Sequence, residues 1–289
     1  MTMTFRISHL HRRRQPLAPA ETALLLGLAA LLALAVLGPV VPASEHQHGF
    51  ADQRALWGIP CALDVLSNLL FALGGMWGLA VLSRLQPGVL DSSSRALAAL
   101  FFGGLVCTAV GSSVYHWQPH DAGLLWDRLG MVLPFAGLLG LAAHGRVSAR
   151  AGHASAVAVL LAGPLAVVWW AHTGNLMPWA VVQLGGMFVV LALACLPRRT
   201  DALGVHLGAV IGMYAVAKLF EAADHAVYDA TAQWVSGHSL KHVFAAGAAW
   251  PVLLALTALR HSADHCVPDV ARSGQNGAHA VGVARRSRA

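Results

Sequence analysis

The sequence carries little charge. Asp, Glu, Lys and Arg together make up 11% of its 289 residues, while 57% are hydrophobic even without the 29 glycines. Soluble domains usually hold about 25% charged residues, so a soluble globular fold is excluded. Cysteine is scarce as well: Cys61, Cys107, Cys195 and Cys266 stand far apart with no CxxC pair, which excludes a disulfide scaffold. Disorder is excluded by the apolar content. Acidic residues number 13 against 19 basic ones, yet the net charge of +6 forms no nucleic-acid patch, because the basic residues sit in short clusters between apolar runs. The chain reads as a membrane protein.

Roughly 20 apolar residues are needed to cross a bilayer as a helix. Eight such runs lie at about 22–42, 60–83, 96–118, 122–144, 154–173, 177–196, 203–226 and 237–259. Residues 151–197 contain no Asp, Glu, Lys or Arg, and their length requires two crossings with a turn near 172–178, where Gly174, Asn175 and Pro178 supply turn chemistry. β-Barrel spans are shorter and alternate, which these runs do not. The expected fold is therefore all-α and polytopic, a seven-transmembrane-helix bundle preceded by one additional N-terminal helix.

Basic residues favour the cytoplasmic side of short loops. With "HRRR", residues 11–14, inside, eight crossings place every basic residue inside except Arg54, Arg128, Lys218 and Lys241. Residues 43–59 are then outside and 84–95 inside. Trp57, Trp117, Trp126, Trp179 and Trp234 fall at the opposite ends, as an aromatic belt would. Residues 1–43 form a cytoplasmic N-terminus and first apolar helix. That helix is an anchor or a signal peptide, since "VPA" at 41–43 resembles a small-residue cleavage site. Residues 44–260 form the seven-helix domain and 261–289 a flexible cytoplasmic tail.

Ionisable groups inside spans are costly and functional by default. Here they gather at the outer ends of four helices: Ser112 and His116 in "GSSVYHW", Asp127 and Arg128 in "LLWDRL", "KLFEAADH" at 218–225, and His238 and His242 in "SGHSLKH". His238 and His242, four residues apart, share a helical face and can hold one metal ion, with His116 as third ligand. Three imidazoles with an open fourth position describe a catalytic zinc site that acidifies a water. Ser112 can donate to a developing oxyanion, and Asp127 can hold the water and carry its proton to a leaving group. Spacing alone leaves haem ligation and structural polar packing open, because HxxxH is a weak signal in a chain with 16 histidines. His120, His172 and His225 are bystanders or water-path residues, and the remaining ten histidines are assigned no chemistry.

Together these segments resemble the alkaline ceramidase family of the CREST membrane-hydrolase superfamily, which is also similar to the progestin and adiponectin receptors. The residues that carry the likeness are "SNLLFALGG" (67–75), "GSSVYHW" (111–117), "WDRLGM" (126–131), "KLFEAADHAVYD" (218–229) and "SGHSLKHVFAA" (236–246). The resemblance implies zinc on His116, His238 and His242, Ser112 and Asp127 as catalytic helpers, and hydrolysis of the amide bond of ceramide or a related N-acyl lipid drawn from the bilayer. "FADQR" itself resembles the bacterial branch, and with the arginine-based topology this gives a bacterial inner-membrane protein with its site toward the periplasm. Eukaryotic members bind calcium near their start, but here "FADQRALWGIPCALD" offers only Asp52 and Asp64 as acids, which makes calcium doubtful. The alternative is a seven-helix receptor or sensor with a structural zinc site. Asn68 either orients a ligand or Asp127, or bonds between helices. Lys218, Glu221 and Asp224 form a charge network with Arg128 and Lys241.

Overall fold

The computed structural model describes residues 17–265 apart from residue 45. "HRRR", Cys266 and the tail from 266 onward lie outside the described residues. About 74% of the described residues are helical, and none of them forms a strand. In order the elements are α1 (Pro19–Leu37), α2 (Ala62–Ser67), α3 (Leu69–Arg84), α4 (Ser92–Trp117), α5 (Asp121–Arg146), α6 (Ala149–Thr173), α7 (Met177–Ala180), α8 (Gly186–Ala194), α9 (Leu207–Ala222), α10 (Asp224–Ala230), α11 (Gly237–Gly247) and α12 (Trp250–His265). A π-helical stretch, Val181–Gly185, joins α7 to α8. Only helices satisfy every backbone group without water or a closed sheet, and low charge together with long apolar runs selects them.

Seven of the described helices or helix pairs are long and apolar enough to cross a membrane: α1, α2 with α3, α4, α5, α6, α7 through α8, and α11 with α12. The run expected at 203–226 is different. It forms the 16-residue α9, breaks at Ala223 and continues as α10. The break has a cause in Asp224, whose carboxylate accepts from the backbone N–H of Ala51 at 2.9 Å and of His238 at 2.8 Å. The turn expected at 172–178 is present, with Gly174 in the left-handed region at φ +71° closing α6.

Helix starts are satisfied by side chains. Asp91 accepts from Ser94 N–H, Ser148 from Ala151 N–H and Ser236 from Ser239 N–H. His120 and His206 do the same for α5 and α9 through Nδ1 at 3.1 Å. Central α5 packs closely on α4: a Cβ at Gly111 would lie 2.4 Å from the carbonyl oxygen of Trp126, and one at Gly137 2.4 Å from the backbone nitrogen of Phe101. These close approaches, which small residues permit, hold the Ser112 turn against the Asp127 turn.

The two ends of the bundle differ. At one, Arg95 donates to the carbonyls of Leu82 and Leu85, Arg146 to Leu196, and Arg199 to His144, while Arg150 and Ser148 grip the buried Glu21 of α1. At the other, Val41 bonds Asn175, Gln47 bonds Asp121 and Arg54 bonds the carbonyl of Trp234. Trp57, Trp117, Trp126 and Trp234 are exposed at this second end, but Trp179 is buried beside Arg128, so it belongs to the interior and not to a belt. If the basic end is cytoplasmic, a cysteine replacing exposed Trp57 is labelled by an impermeant maleimide from outside and one replacing exposed Gln86 is not, in a background without native cysteines. The opposite labelling pattern reverses the orientation.

Candidate metal centre

His116 lies in the last turn of α4, and His238 and His242 lie in the first two turns of α11, which Ser236 caps. All three are buried, and one ligand atom from each can be chosen so that the three lie within 4.8 Å of one another. Their ring centroids stand 4.8, 5.0 and 4.9 Å apart, a nearly equilateral arrangement. Nε2 of His116 and Nε2 of His238 are 3.2 Å apart. Two nitrogens on one tetrahedral zinc, each at about 2.0–2.1 Å, are separated by about 3.3 Å, so the donor set fits that ion. Ser67 supports the third ring: its hydroxyl donates to the carbonyl of Asp64 at 3.1 Å and lies 2.8 Å from His242 Nδ1. With the serine proton committed to that carbonyl, Nδ1–H donates to Ser67 and Nε2 keeps its lone pair for a metal.

Ser112 and Asp127 are both buried. They line, with His242 and Lys241, one end of a cavity of about 100 Å³ that runs among apolar residues such as Phe101, Leu105, Phe135 and Val210. A second cavity of about 380 Å³ reaches toward the loop end, past Arg128, His238, Gln47 and Leu176. Asp127, Met131, Tyr214, Lys241 and Ala245 line both. The structure thus brings all five expected site residues to one place.

Several neighbours were not legible from spacing. Phe50 covers the centre, its ring 4.7 Å from His116 and 4.4 Å from His238. Its loop is held by Ala51 on Asp224 and by the Asp52–Arg54 ion pair. Burial alone would raise the Asp52 carboxyl, but the bonds from Arg54 outweigh it and hold the group below the usual range. His48, assigned no chemistry, bonds the hydroxyl of Tyr115 at 2.9 Å beside His116. Asp64, considered only for calcium, is fully buried and accepts from Ser239 at 2.6 Å and Ser236 at 3.3 Å. As an acid inside a span it carried the signal that should have singled it out.

Three expectations are corrected. Asn68 bonds neither Asp127 nor a neighbouring helix; its amide nitrogen donates to the Asp64 carbonyl one turn earlier, at the junction of α2 and α3. Asp224 binds backbone N–H groups and does not join the lysines. Arg128 stacks on Trp170, 3.9 Å from the ring centroid, and not on a carboxylate. The charge network is smaller: Glu221 pairs with Lys218 and, at 3.2 Å, with Lys241, whose Nζ also lies 3.1 Å from His238 Nε2.

Fold and site define a polytopic all-α membrane protein with a candidate three-histidine metal centre near one end of its bundle. No protein-family model matches the chain, and no curated protein matches it either.

Proposed function

We propose that the protein is a zinc-dependent amidohydrolase of the alkaline ceramidase type, which cleaves ceramide or a related N-acyl lipid into a fatty acid and a sphingoid base or amine. The observation that carries this reading is the convergence of three buried imidazoles with the Ser112–Asp127 pair at the polar end of an apolar cavity. The apolar lining suits the first carbons of an acyl chain, whose amide then lies beside His242. His116, His238 and His242 would hold a zinc ion, which when bound would supply Lewis acidity and lower the pKa of a water to about 7.

The remaining work falls to the chain itself. Asp127 accepts a proton from the attacking water and returns it to the amide nitrogen, which otherwise leaves poorly. Ser112 has a single hydroxyl proton. While Asp127 is ionised, that proton is donated to the carboxylate; once Asp127 is protonated, it can donate to Ser112 in turn and free the serine proton for the developing oxyanion. The two residues therefore act as one device. Phe50 excludes bulk water from the far side of the histidines. The excess of arginine at the opposite end supports a periplasmic site in a bacterial inner membrane.

The test is mass spectrometry of a total lipid extract incubated with purified, zinc-loaded protein. The expected result is loss of one N-acyl lipid with matching gain of fatty acid and amine, and no change with the His242→Ala protein. An unchanged extract across ceramides and other lipid amides retires the hydrolase reading in favour of a receptor or sensor.

A further inference from the structure

We propose that the larger cavity is an anion subsite built on Arg128, and that the lipid amide this protein takes carries a carboxylate or phosphate on its polar head. Arg128 is 8% exposed and lines the 380 Å³ cavity together with Asp127 and His238. Its guanidinium is held from the side by aromatic faces, 3.9 Å from the centroid of Trp170 and 5.9 Å from that of Trp179. Stacking fixes the plane of the group but uses none of its five N–H donors. Nη1 is buried and has no hydrogen-bond partner among the described residues.

The other cations of the cavity are already engaged, because Lys218 and Lys241 share Glu221. Asp127 precedes Arg128 in the chain, but successive helical residues point about 100° apart, and Asp127 does not bond Nη1 of Arg128. The cavity wall therefore includes one oriented guanidinium whose Nη1 is unpartnered among the described residues, next to the residues proposed to work on the amide. A planar fork of this kind matches carboxylate and phosphate oxygens. A neutral hydroxylated head leaves it unmatched.

The substrate class rests on the amidase reading, whereas the anion preference is read in binding alone. The test uses the full-length protein in neutral detergent and equilibrium binding of radiolabelled N-lauroylglycine, N-lauroyl-phosphoethanolamine and neutral N-lauroylethanolamine. At least one anionic amide is expected to bind about tenfold or more tightly than the neutral one. Whichever does so identifies the head group. Arg128→Gln is expected to abolish the difference, and Arg128→Lys, which keeps the charge without the fork, to retain part of it. Equal binding of all three by the unaltered protein overturns the proposal without any variant, as does a preference that survives in folded Arg128→Gln. Hydrolysis is scored separately: selective binding without cleavage retires the amidase and leaves the subsite, and cleavage without selectivity does the reverse.

Discussion

The His238→Ala protein is expected to lose most of its zinc, and so are His116→Ala and His242→Ala, with the unaltered protein holding about one ion per chain. His116 comes from the last turn of the long α4 and the other two ligands from the capped start of α11, and no described carboxylate or thiol joins the three imidazoles in the cluster. Two ligands left behind cannot be completed locally. Ser67→Ala is a milder case, because it removes only the partner of His242 Nδ1; loss of such support typically costs about 10–100-fold in metal affinity. His120→Ala and His225→Ala serve as controls. His120 caps α5 and His225 is exposed, so neither change should alter the metal content. Metal analysis of proteins matched for helicity reads all six. Full zinc in His238→Ala would mean that the cluster is polar packing shared with Lys241.

Asp127→Asn is expected to keep its zinc and its fold yet slow lipid amide cleavage by roughly 10²–10⁴-fold, the usual worth of a positioned acid–base group. Ser112→Ala is expected to lose about 10²–10³-fold, the range for one oxyanion donor. Because the two side chains line the same cavity and are proposed to work as one device, the double variant should fall well short of the product of the single losses. Asparagine preserves the shape of the site, so packing cannot account for its defect. A wild-type rate in Asp127→Asn dismisses the proton path. Loss of zinc from it makes Asp127 a support of the metal, and strict multiplicativity in the double variant separates the serine from the aspartate.

Much of this was legible in one dimension because a bilayer interior leaves the backbone few choices. Long uncharged runs had to become helices, Gly174 and Asn175 had to mark the turn between two of them, and arginines in alternate loops had to collect at one end. The pair His238 and His242 was equally legible, since four residues return a helix to the same face. That local periodicity, scarce charge and loop composition determined the fold class and the end at which polar residues gather. Spacing could not decide what each polar group meets across the bundle, because that depends on which faces are pressed together and how closely. Gly111 against the Trp126 carbonyl sets the Ser112 turn beside Asp127. The break at Ala223 turns Asp224 toward backbone N–H groups and away from the lysines. Trp170 and Trp179, both reached only through the fold, take Arg128 from any carboxylate, and Ser67 meets His242 across 175 positions of sequence. Partners of buried polar groups are chosen by packing, and packing exists only once the helices have met.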